Sequence, residues 1–162
     1  MAHFSHIIFD IDGTLTDNTE GYVNSMKHAL DGLHVKAYDK NMLASHIGPP
    51  IQWTFRSFYG MNEEEMNKAV KIFRAYFNEY GWRENVVYEG IEDLIKELYS
   101  LNKKMYIATS KVESFAIKTI EHFGLDKYII QLKGDELGDG NITKTKVITD
   151  LMKMQQLEPS EE

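Results

Sequence analysis

The chain has 162 residues, 43% hydrophobic and 27% charged, which suits one globular domain with room for a small insertion. A formal net charge of −7 argues against nucleic acid as a main partner, and no apolar stretch reaches the ~18 residues that a membrane span needs. With no cysteine there is no disulfide, thiolate zinc site or cysteine nucleophile, and the start, Met1-Ala2-His3-Phe4, lacks a signal region, so a cytoplasmic protein is expected.

The first element is the apolar run His6-Ile7-Ile8-Phe9, a short buried strand by its pattern. Asp10-Ile11-Asp12-Gly13-Thr14-Leu15-Thr16-Asp17 follows directly. Strand alternation puts the side chains of Asp10 and Asp12 on one face, and a turn at Gly13 lets both converge on one point. At about 4 Å two such charges repel by roughly 4 kcal/mol at an effective dielectric of ~20. A hard divalent cation such as Mg²⁺, which takes oxygen ligands, relieves that repulsion. A carboxylate is also a covalent nucleophile for phosphoryl groups.

Residues from about 17 to 82 read as four helices without a strand. Asp17 with Glu20 has the spacing of a capping box, and Val23, Met26, Leu30 and Leu33 follow at helical intervals, ending near Gly32. Asp39 caps a short helix running to His46. Gly48-Pro49-Pro50 breaks the chain, and Pro50 suits the first position of a helix that carries Ile51, Phe55 and Phe58 and stops at Gly60. Asn62 with Glu65 is a second capping box, opening a helix with Met66, Val70, Phe73, Phe77 and Tyr80 on one face, closed by Gly81. Trp53, Phe55, Phe58 and Tyr59 are expected in the core of this segment. The six histidines show no metal-ligand spacing.

Strands and helices then alternate. Helices are expected around Ile91–Leu98, Phe115–Phe123 and Val147–Leu151, and strands at Met105–Ala108 and Tyr128–Ile130. Such alternation indicates a parallel sheet, hence an α/β core interrupted after its first strand by a helical insertion. Thr109-Ser110-Lys111 follows the second strand. A hydroxyl there, with the N–H groups opening the next helix, can hold a phosphate, or Thr109 and Ser110 can simply cap that helix.

The run IIFDIDGT resembles the hhhhDxDGT signature of the haloacid dehalogenase-like phosphatases, and the resemblance covers nearly the whole chain. It implies a Rossmann-like core of residues 1–16 and 83–162 with a helical cap of residues 17–82 that closes over the active site. It implies Asp10 as nucleophile, Asp12 as general acid and base, and Mg²⁺ bound at Asp10 and Asp12. Phosphate would be held by Gly13, Thr14, Thr109, Ser110 and Lys111, with Lys144 screening nucleophile and phosphate. Lys146 competes with Lys144 for that role, and the family's spacing to Val147-Ile148 favours Lys144. Asp17 either faces the substrate or caps its helix. Arg56 either grips a second anionic group or lies on the surface of an amphipathic helix.

The implied activity is Mg²⁺-dependent hydrolysis of a small phosphorylated metabolite, in the manner of phosphoglycolate phosphatase by the helical pattern and the Ile47-Gly48-Pro49-Pro50 turn. A sugar-phosphate mutase would use the same parts. Asp12 disfavours a dehalogenase. A non-catalytic binding protein is the rival from another class. The family's last acidic motif has one match, Gly134-Asp135-Glu136-Leu137-Gly138-Asp139, which precedes Lys144 and follows a strand that the family's order places two steps from the first. It is therefore read as a polar turn. On that reading the acids after Lys144 are missing and Mg²⁺ is held weakly. The first strand is then expected at an open sheet edge or under another chain.

Overall fold

The structure is a computed structural model and describes residues 4–36, 38–136 and 142–158. The chain divides into two compact units, Met1–Asp17 with Val87–Glu162, and Asn18–Val86.

The first unit is α/β. Its strands are β1 (His6–Phe9), the short pair β2 (Thr16–Asp17) and β3 (Val86–Val87, whose first residue closes the second unit), β4 (Lys104–Val112) and β5 (Ile129–Asp135). The main sheet is parallel with order β1-β4-β5, in register from His6 opposite Lys104 to Phe9 opposite Ile107. In β4, Met105 through Thr109 are all buried, the continuous run of a parallel strand covered on both faces. Ile95, Met105, Ile107, Ala116 and Ile120 pack on one face with Ile11 and Leu15, while Tyr106 and Ala108 meet Val147 and Leu151 on the other. The helices that supply these contacts are, in chain order, the last three of the molecule: α5 (Ile91–Ser100), α6 (Glu113–His122) and α7 (Lys144–Gln155).

Both later strands outrun their apolar stretches. β4 continues through Thr109, Ser110 and Lys111, and α6 starts only at Glu113 with no side-chain cap, so these residues are strand and not the helix opening that their types suggest. β5 continues through Gly134 and Asp135, both buried, so this part of the acidic string is strand, not a turn. The rest of that string, with Asp139, lies outside the described residues.

The second unit holds α1 (Thr19–Gly32), α2 (Lys40–Ala44), α3 (Ile51–Tyr59) and α4 (Glu63–Tyr76), closed by a π turn at Phe77–Gly81. Met26, Leu30, Leu43, Phe55, Met66, Val70 and Phe73 form its core. Asp39 accepts from Met42 N, and the Asn62–Glu65 capping box makes both its bonds. The Asp17–Glu20 box does not form. Asp17 is drawn into β2, and α1 begins behind Asn18, whose side chain makes no cap bond. Trp53 and Phe58 are 49% and 48% exposed, against expectation. Thr54 and Phe55 take the core side of α3. Phe58, in the last turn, stacks instead on the buried ring of His46 at 4.0 Å, with Trp53 edge-on to it at 5.6 Å.

Candidate active site

The loop after β1 is built around Ile11. Its carbonyl accepts from the N–H groups of Thr14, Leu15 and Thr16 at 3.1, 2.9 and 3.0 Å, and Gly13 N returns to Thr16 O at 2.8 Å. Gly13 sits at φ 78°, a conformation costly for any residue with a Cβ. Ile11 and Leu15 are fully buried, so the loop is pinned into the core by every fourth residue, while Asp10 and Asp12, flanking Ile11, stay partly exposed. Asp10 Oδ1 accepts from Ile11 N at 2.9 Å.

Each carboxylate has its own lysine. Lys144, the first residue of α7, pairs with Asp10 Oδ2 and also donates to Ala108 O at 3.4 Å. Lys111, near the end of β4, donates to both oxygens of Asp12, at 2.9 and 3.1 Å. The two ammonium groups answer the repulsion between the aspartates. Lys146 instead pairs with Asp150 at 2.6 Å. Thr109, the residue after Ala108, is buried, and its Oγ1 accepts from Lys111 N at 3.2 Å. Ser110, Gly13 and Thr14 are exposed, and Asp17 lies in β2.

The structure thus gathers Asp10, Asp12, Lys111 and Lys144, with Thr109 beside them in β4. Arg56 is an exposed residue of α3 in the second unit. Asp135 lies on β5, beyond β4 from Asp10, in register with Val112. At roughly 4.8 Å per strand that is about two spacings away. The Lys111–Asp12 pair was missed by sequence reasoning. The one available signal was a lysine two residues beyond the strand-end threonine. Also unanticipated is the lock at the far edge, where Glu113 Oε2 accepts from Gly134 N at 2.8 Å and Lys133 pairs with both Glu113 and Glu136.

Mg²⁺ fits this donor set in kind. Among the described residues no three acids or histidines cluster, so the groups that would hold the ion here are the Asp10 carboxylate and the Asp12 carbonyl. Mg²⁺ commonly binds through one or two carboxylates, keeping water and substrate phosphate in its other positions.

Residues 7–162 match the model of the haloacid dehalogenase-like hydrolase family. The chain is 36% identical over 149 residues to a 5'-nucleotidase of Pseudomonas aeruginosa, covering 92% of this chain and 67% of that protein. It is 31% identical to the tyrosine-protein kinase PtkA of Mycobacterium tuberculosis, covering 88% of this chain and 48% of that protein. It thus spans between about half and two thirds of the length of these curated relatives. A crystal structure from Clostridium difficile, assigned as a phosphatase, superposes with a TM-score of 0.91 at 31% identity, over 98% of this chain and 73% of that one. With the signature loop, the parallel sheet and these similarities in agreement, the chain belongs to the haloacid dehalogenase-like hydrolase family.

Proposed function

We propose that this chain carries the phosphoryl-transfer centre of an Mg²⁺-dependent phosphatase that hydrolyses a small phosphate monoester through an aspartyl-phosphate. The observation that supports it is the pair Asp10 and Asp12 on one side of a rigid loop, each carboxylate held by a separate lysine. An oxygen of Asp10 attacks phosphorus, and the ester O–P bond breaks as the new O–P bond forms. Asp12, which enters this step as the carboxylic acid, gives the leaving alkoxide its proton and is left as the carboxylate. A water molecule then attacks the phosphorus of the acyl phosphate, and Asp12 takes the water's proton. The Asp10 carboxylate and inorganic phosphate are released. Lys144 neutralises Asp10 and the phosphoryl oxygens it meets. Thr109 Oγ1 and the loop at Gly13 and Thr14 supply hydrogen bonds to the phosphate, with Ser110. Mg²⁺, held by Asp10 and the Asp12 carbonyl, would screen the two anions that must meet. The helical unit is read as a cap, where Arg56 would hold a second anionic group of the substrate and Asp17 would border it.

Two substrate classes are in play. The Ile47–Pro50 turn supports a phosphoglycolate-like ester, and the 36% identity to a 5'-nucleotidase favours a nucleoside monophosphate. Phosphate release from each, with Mg²⁺ and with EDTA, separates them. Asp10→Asn removes the attacking charge and keeps the shape. Turnover should vanish while the melting temperature holds, and mass spectrometry of the wild type should find a phosphoryl or fluoroberyllate adduct on Asp10. An Asp10→Asn variant that still hydrolyses substrate sinks the mechanism. A wild type inert towards every monoester, with or without Mg²⁺, favours the non-catalytic reading.

A further inference from the structure

We propose that Lys111 is an exchangeable clamp. In the resting chain it holds the Asp12 carboxylate, and the phosphate of an arriving substrate takes over its ammonium group and frees Asp12 to face the reacting oxygen. The proposal rests on the phosphatase reading above.

The two lysines of the site are held differently. Lys144 touches one oxygen of Asp10, has a second anchor on Ala108 O, and keeps 39% of its side chain exposed. Lys111 grips both oxygens of Asp12 at once, and its side chain is only 6% exposed against 28% for Asp12. Burying a lysine head costs free energy unless an anion meets it, so the Asp12 carboxylate is a counter-ion that this buried ammonium group needs. The same grip occupies both Asp12 oxygens, and neither is then turned to a leaving group or a water molecule.

A phosphate dianion removes this difficulty. It offers the ammonium group a charge-assisted partner at least as strong as a carboxylate, so one anion replaces another without leaving the buried cation bare. The backbone favours the exchange, because Lys111 N is tied to Oγ1 of Thr109, a proposed phosphate ligand. The stem of Lys111 therefore starts beside the expected phosphate. Lys144 stays on Asp10, and Lys111 alone changes partners.

The test uses the full chain with inorganic phosphate and excess Mg²⁺. Crystals grown without and with phosphate should show Lys111 Nζ on Asp12 in the first. In the second it should lie within hydrogen-bond reach of a phosphate oxygen and have left Asp12. By calorimetry, Lys111→Met should weaken phosphate binding about tenfold or more, as loss of a charged hydrogen bond does, and Lys111→Arg should restore most of it. The wild-type crystals decide the matter even if Lys111→Met folds poorly. Phosphate bound at Asp10 with Lys111 still on both Asp12 oxygens overturns the clamp and leaves the phosphatase reading standing. So does an unchanged affinity in a folded Lys111→Met. A wild type that binds no phosphate overturns the phosphatase reading and the clamp with it.

Discussion

Asp10 and Asp12 are separated by one residue, and that residue, Ile11, is fully buried. Burying Ile11 turns its neighbours to the opposite side, so the hydrophobic effect holds the two charges together and the two lysines make this tolerable. His46 is the other residue whose environment sets its chemistry. Its ring lies under Phe58 with Tyr59 Oη 3.4 Å from Nδ1, and burial holds its pKa below the ordinary value of 6.5. The sign follows from linkage. The unfolded chain takes up the proton first, so the contribution of His46 to stability is whole above pH 6.5 and is lost as the pH falls through the folded value. Melting temperature followed from about pH 7.5 down to 5 should decline, and His46→Gln should flatten that decline relative to its own maximum. An unchanged slope in His46→Gln would place the acid sensitivity elsewhere.

Among the elements, the junction of α1 with the π turn tolerates least. A Cβ on Gly21 would stand 2.0 Å from Gly81 O and 3.0 Å from Glu84 O, both backbone atoms. Gly21 N donates to Glu84 O at 2.9 Å across the same approach. A Cβ on Gly81 would stand 2.8 Å from Ser25 Oγ, and its φ is not positive, so Gly81 is there for closeness and not as the left-handed cap that its place after a helical pattern suggests; Tyr80, carried out by the π turn, is 46% exposed. Gly21→Ala should destabilise the chain by about 1–3 kcal/mol, read by urea denaturation. A wild-type midpoint would mean that the two backbones can part freely. The Asn62–Glu65 capping box was legible because both partners are local. Asp17–Glu20 had the same spacing and failed because pairing with another strand claimed Asp17.

For the whole molecule the decisive fact is sheet order. β4 lies between β1 and β5, so Asp135 is kept from Asp10 by a full strand. Asp135 is itself only 3% exposed. Calorimetric titration with Mg²⁺ should give weak binding that Asp135→Asn leaves unchanged within about twofold. Tight binding lost in Asp135→Asn would return the acidic string to the metal site. β1 is an edge of the described sheet, with Ile7, Ile8 and Phe9 half-buried.

The sequence by itself determined the α/β class and the first strand, because runs of apolar residues at strand and helix spacing are written into local periodicity. It pointed to Lys144 only through family spacing. Tertiary structure alone decided that Lys111, 99 residues from Asp12, would close on it. It also decided that Trp53 and Phe58 would face out, that Thr109 would stay in the strand, and that Asp135 would be buried away from the site. These outcomes turn on which strand neighbours which and which surface is already covered. Such contacts join distant parts of the chain, and local periodicity holds no record of them.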